Sequence, residues 1–79
     1  MNTLEIFSQR IKELREERSL GVRELAGILG ISHSAISLYE SCRRTPDIEM
    51  CRLFAKFFNV SGDYLLGLSN ERKCENGKK

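Results

Sequence analysis

A chain of 79 residues holds one domain with a modest core, which excludes a deep substrate cavity and the scaffold to support it. Apolar residues make up 41% and charged residues 30%, the range of a folded soluble protein rather than a disordered one. With 13 Lys and Arg against 11 Asp and Glu the formal charge is +2, so a nucleic-acid partner has to be argued from where the charges sit, not from their sum.

Apolar residues recur at helical spacing along the chain. Phe7, Ile11 and Leu14 mark one face of a first helix, with Thr3 as its N-cap. Ser19-Leu20-Gly21 breaks it. Leu25, Ala26 and Leu29 form a short second helix, with Gly21 at its N-cap and Glu24 placed to reach back as half of a capping box. Gly30 supplies the left-handed turn that ends it. Ser32 caps a third helix carrying Ile36 and Tyr39. Arg43-Arg44-Thr45-Pro46 reads as a loop, because proline disfavours a helical residue before it. Asp47 caps a fourth helix whose inward face is read as Met50, Leu53, Phe54 and Phe57, ended by Asn59. Ser61 caps a short fifth helix with Tyr64 and Leu65. The domain is expected over 1–68, with 69–79 a polar, flexible tail. No strand-like alternation persists anywhere, so the fold class is all-α with five helices.

The stretch Val22 to Ser41 is the informative one. Two helices that cross steeply need a small residue at the contact, which Ala26 supplies. The turn between them needs positive φ, which Gly30 allows. Ile31 and Ile36 close the corner. This spacing is that of a helix-turn-helix, whose second helix enters the DNA major groove. On a wheel of about 100° per residue, Tyr39 and Glu40 fall on the inward side with Ile36, while Ser34, Ser37, Leu38 and Ser41 fall outward with His33 at the edge. The third helix carries no Lys or Arg. Short uncharged side chains let a helix sit deep in a groove about 12 Å wide and reach base edges. A serine-rich surface helix is the competing reading.

At these residues the chain resembles the Cro/CI (XRE) family of phage and bacterial repressors. The likeness runs from Phe7 to Leu68 through RIKELREERSL, RELAGILGIS, SAISLYE, RRTPDIEMCRLFAKFF and NVSGDYLLG. It implies a five-helix lambda-repressor-like domain that binds operator DNA as a two-fold dimer. Carried over by position, His33, Ser34, Ser37 and Leu38 would read bases. Arg23, Arg43, Arg44 and Thr45 would meet phosphate. Arg15 would pair with Glu40, which the wheel supports independently: a carboxylate on the inward face needs a partner. Four positions depart from the family pattern. Val22 stands where Gln is common, Cys42 stands where Gly is common, and His33 and Leu38 replace longer polar readers. A side chain at position 42 would cost roughly 1–2 kcal/mol in left-handed geometry, so a locally different turn is expected there. Leu38 suits a thymine methyl, or else a dimer contact.

Other chemistry has little support. Cys42, Cys51 and Cys74 are an odd set without CxxC spacing and read as reduced thiols. His33 is the single histidine, so no metal site is expected and no cofactor. Nothing frames a nucleophile, so no enzymatic activity and no small-molecule substrate are expected. Cys42 beside Arg43 and Arg44 leaves open a redox-sensing thiol against the simpler inert one. Phe58, Tyr64, Leu66 and Leu68 are candidates for a dimer contact. Glu71-Arg72-Lys73 and Lys78-Lys79 read as a solvated end. The first ten residues lack the pattern of a signal peptide, and no apolar run reaches the length of a membrane span, so a cytoplasmic location is expected. The function expected is that of a DNA-binding repressor; the alternative is a helix-turn-helix interaction module of the antitoxin or anti-repressor kind.

Overall fold

Asn2 starts the first helix, one residue earlier than the sequence suggested. Its side-chain oxygen accepts the Glu5 amide at 2.9 Å, and its own amide donates to the Glu5 carboxylate at 2.8 Å. That reciprocal box needs an acidic or amide side chain three residues on. Glu5 answers Asn2, whereas Thr3 would face Ile6, so Thr3 becomes the first helical residue. The computed structural model of the chain describes residues 1–73 and contains α1 (Thr3–Glu17), α2 (Val22–Leu29), α3 (His33–Glu40), α4 (Ile48–Phe58) and α5 (Gly62–Leu66). No strand occurs among the described residues. The all-α, five-helix, lambda-repressor-like architecture expected from the sequence is the one found.

The other starts fall where the sequence put them. Side-chain oxygens of Ser32, Asp47 and Ser61 accept the amides of Ala35, Met50 and Tyr64 at 3.1, 2.8 and 3.0 Å. Each cap of this kind stabilises its helix by about 1 kcal/mol over alanine. Gly21 has no side chain to cap with, but its amide donates to Glu24 at 2.7 Å, so half of the box is made. Gly30 takes φ 75° and ends α2, and Asn59 takes φ 58° and ends α4. Gly67 ends α5 at φ 82°, and a Cβ there would lie 2.7 Å from the Ile6 side chain, so this close approach also requires glycine.

The core is one cluster: Phe7, Ile11 and Leu14 of α1, Leu25 and Ala26 of α2, Ala35, Ile36 and Tyr39 of α3, Phe54 and Phe58 of α4, and Tyr64 and Leu65 of α5. Three rings from three helices meet edge-on at its centre. Phe7, Tyr39 and Phe54 have centroid separations of 5.7 to 6.3 Å and interplanar angles of 78 to 89°. Such pairs contribute about 0.5–1.5 kcal/mol each beyond area burial. They fix α3 against α1 and α4.

Two assignments on α4 and α5 need correcting. Phe58 is fully inside the core, not at its edge, and Tyr64 is buried with it. From Phe54, Phe58 lies about 40° round the helix while Leu53 lies about 100° away. Accordingly Leu53 is only half-buried and Phe58 stacks on Phe54. Of the four residues considered for a dimer contact, only Leu66 and Leu68 remain exposed. The segment after Leu68 is not a free end over its described part. Arg10 donates to the carbonyls of Tyr64 and Ser69 and to the Asn70 side chain. Arg72 donates to both Glu17 oxygens, at 2.8 and 2.6 Å, and to the Tyr64 hydroxyl. Cys74, Lys78 and Lys79 lie outside the described residues.

Candidate nucleic-acid interface

The α2–α3 corner is built from small residues and shared carbonyls. The Ala26 carbonyl accepts both the Gly30 and the Ile31 amide, at 2.9 and 3.1 Å, which closes the turn on itself. Ala26 is buried and belongs to the core. Ile36 is fully buried below the corner, while Ile31 and Leu29 pack partly against the same core.

Burial divides α3 into two sides. Ala35, Ile36 and Tyr39 are buried. His33, Ser34 and Ser37 are exposed, and Leu38 is half-buried. The hydroxyls of Ser34 and Ser37 and the His33 ring have no hydrogen-bond partner among the described residues. Ser41 differs: its hydroxyl donates back to the Ser37 carbonyl at 2.8 Å and caps its own helix. The exposed side of α3 is therefore uncharged, and its polar groups are unengaged.

Glu40 ends this helix on the protein side. Its carboxylate accepts from Nε and Nη2 of Arg15 at 2.7 and 3.0 Å, and the Arg15 Nη1 donates to the Leu20 carbonyl at 2.7 Å. Its hydrogen bonds to the Glu40 carboxylate hold the Arg15 guanidinium more firmly protonated than usual, against the opposing effect of burial. One side chain thus ties the end of α1, the α1–α2 link and the end of α3 together.

The reversal after α3 departs from expectation in an instructive way. A locally different turn was anticipated because Cys42 carries a Cβ. Instead Cys42 adopts the left-handed conformation itself, at φ 63°. Two backbone bonds hold it there: the Cys42 amide to the Tyr39 carbonyl at 3.3 Å, and the Arg43 amide to the Leu38 carbonyl at 2.9 Å. Arg43, Arg44 and Thr45 follow directly and are exposed, as is Arg23 in the first turn of α2. The guanidinium groups of Arg23, Arg43 and Arg44 have no partner among the described residues. Arg10, Arg15, Arg18 and Arg72 are hydrogen-bonded within the protein, while Arg52, exposed on α4, also has no partner among the described residues.

Among the described residues there is no group of three His, Cys, Asp or Glu side chains placed to hold a metal ion. No helix among them is long and apolar enough to cross a membrane. Burial pushes the Cys51 thiol above its ordinary pKa, with Asp47 adding to the effect.

Comparison with known proteins agrees with this geometry. A family model described as a helix-turn-helix domain matches residues 8–71. The chain belongs to the helix-turn-helix family, of the Cro/CI (XRE) type. The helix-turn-helix chain is 32% identical over 66 residues to YobD of Bacillus subtilis, named an uncharacterized HTH-type transcriptional regulator; the match covers 84% of this chain and 59% of YobD. It is 37% identical over 60 residues to BcrR of Enterococcus faecalis, named an HTH-type transcriptional activator, covering 76% of this chain and 29% of BcrR. It is 34% identical over 55 residues to RstR of Vibrio cholerae, named a cryptic phage CTXphi transcriptional repressor, covering 70% of this chain and 50% of RstR. The helix-turn-helix region thus spans half or so of YobD and RstR and less of BcrR.

Sequence reasoning missed Ser8, which is buried on α1 and donates to the Tyr39 carbonyl. A signal was present. Ser8 precedes Arg15 by seven residues, about 20° apart on a helical wheel, so the flank that singled out Arg15 contained Ser8 as well.

Proposed function

We propose that this helix-turn-helix protein is a sequence-specific DNA-binding transcriptional regulator that inserts α3 into the major groove. The observation that carries the reading is the exposed side of α3, which bears no Lys, Arg, Asp or Glu and is followed in the chain by Arg43 and Arg44, whose guanidinium groups have no partner among the described residues. Ser34, Ser37 and His33 have the short reach and hydrogen-bonding capacity that base edges require. Leu38 offers an apolar surface for a thymine methyl. Arg23, Arg43, Arg44 and Thr45 supply the backbone contacts that set register and affinity. The domain binds as a homodimer on a two-fold site, acts in the cytoplasm, and does no enzymatic chemistry. Its action is repression by occupancy, the reading that the likeness to RstR favours and the name of BcrR opposes.

Selection of bound duplexes from a random pool tests the proposal. Enrichment of a symmetric site is expected. On that site, Arg43→Ala and Arg44→Ala should each reduce the slope of log K against log salt by about one unit and weaken binding to every sequence. Ser34→Ala and Ser37→Ala should change which sequence is preferred. A reporter placed behind the selected site separates repression from activation. Absence of salt-sensitive affinity for random duplex at low salt would favour the interaction-module reading instead.

A further inference from the structure

The core contains two buried polar side chains among the described residues, Ser8 and Arg15, and both reach the end of α3. They stand seven residues apart on one flank of α1. Arg15 grips the Glu40 carboxylate, and the Ser8 hydroxyl donates to the Tyr39 carbonyl at 2.5 Å. The Tyr39 carbonyl is also the acceptor for the Cys42 amide, which sits in the strained left-handed position. Ser8 therefore shares an oxygen with the backbone bond that starts the reversal into Arg43 and Arg44.

We infer that Ser8 is a positioning residue for DNA recognition: by holding the Tyr39 carbonyl it fixes the axial setting of α3 and the turn that launches Arg43 and Arg44, without touching DNA. The inference rests on the DNA-binding reading above. Its physical basis is that a buried carbonyl at a helix end keeps its direction when two donors converge on it. With one donor removed, the Cys42 turn is left to a single 3.3 Å bond to that oxygen and the Arg43–Leu38 bond. Base readout demands that the serines of α3 and the phosphate-binding arginines engage together, so loosening their relative placement lowers specific binding first. Non-specific binding, which is electrostatic, tolerates the looser arrangement.

The test compares wild type with Ser8→Ala, a replacement that favours helix and only removes the hydroxyl. Binding is measured on the duplex selected from the random pool and on a scrambled duplex. Loss of about five- to ten-fold on the selected duplex is expected, with less than about two-fold change on the scrambled one. In parallel, amide exchange in the DNA-free protein should accelerate at Cys42 and Arg43 while the amides inside α1, α2 and α4 keep their protection. Equal loss on both duplexes, no loss on either, or faster exchange spread over all helices would overturn the inference. If wild type enriches no duplex, the DNA-binding reading fails, and the exchange pattern still decides whether Ser8 sets the turn.

Discussion

The Arg15 guanidinium meets the Glu40 carboxylate through two parallel hydrogen bonds, with both side chains about nine-tenths shielded from solvent. Charge-assisted fork geometry of this kind is the strong form of an ion pair, and its near-complete burial makes loss of one partner more damaging than loss of both. Glu40→Ala should destabilise the fold by about 2–3 kcal/mol, because it strands a shielded guanidinium. In a domain of this size that is a fall in Tm of more than about 8 °C. Arg15→Met combined with Glu40→Leu should lose less than the sum of the single replacements, by about 1–3 kcal/mol of coupling. A double-mutant cycle in thermal denaturation checks this. Additive losses would mean that the two groups are solvated separately.

Cys42 supports a prediction of the opposite sign. A residue with a Cβ held at φ 63° is strained, and glycine relieves the strain at some entropic cost in the unfolded chain. Cys42→Gly should therefore stabilise the protein by about 1 kcal/mol, and Cys42→Val should destabilise it by more than that. Asn59 sits at φ 58°, nearly the same conformation. Asparagine tolerates that region well, so Asn59→Gly should gain distinctly less than Cys42→Gly. Melting temperatures of the three variants rank the two sites. A Cys42→Gly protein no more stable than wild type would show that the turn carries no strain.

Much of the fold was legible because local signals and packing agree. Ser32, Asp47 and Ser61 are cap residues in cap positions, and Gly30 stands where the backbone turns left-handed. The inward side of α3 could be read from Ile36 and Tyr39. The failures have a common physical source, which is tertiary choice among near-equivalent neighbours. Phe57 and Phe58 are adjacent aromatics, and only the position of α4 against Phe7 and Tyr39 decides that Phe58 goes deeper. Ser8 shares the flank of α1 that holds Arg15, but its acceptor is a carbonyl that only the packing of α3 brings to it. Arg72 belongs to a polar run, yet Glu17, far away in sequence, and the nearer Tyr64 hold it in place. The roles assigned to His33, Ser34, Ser37, Leu38, Arg23, Arg43, Arg44 and Thr45 depend on a DNA partner, so they stand as the proposal states them.

The two described cysteines should differ in reactivity. Cys42 is exposed, whereas Cys51 is half-buried and its thiol is pushed up by burial first and by Asp47 second. The thiolate is the reactive form, so a raised pKa lowers the reactive fraction at any pH below it. At about pH 8 Cys42 should be alkylated several-fold faster than Cys51. Asp47→Asn keeps an N-cap acceptor for Met50 and removes the charge. It should quicken labelling of Cys51 only modestly, because burial is the larger cause. Peptide-resolved mass spectrometry separates the sites. Equal rates at Cys42 and Cys51 would show that Cys51 is more open than its packing indicates.

The Glu17–Arg72 pair gives the fold its pH dependence at the end of the described chain. Hydrogen bonds from Arg72 hold the Glu17 carboxyl below its ordinary 4.5. A depressed carboxylate pKa stabilises the folded state above the unfolded value, and that contribution disappears as pH falls through the folded value. The effect is therefore present at neutral pH and lost in the range below about 4.5. Both side chains are about half exposed, so salt should screen the pair. A local readout is more decisive than global melting, because the Ser61 amide donates to the Arg72 carbonyl. Glu17→Gln should speed amide exchange at Ser61 at neutral pH and low salt, and the difference from wild type should shrink both on acidification and in about 1 M salt. Unchanged exchange at Ser61 would assign the anchoring of residues 69–73 to Arg10 and Tyr64, whose contacts with that segment involve no carboxylate and are insensitive to acid over the same range.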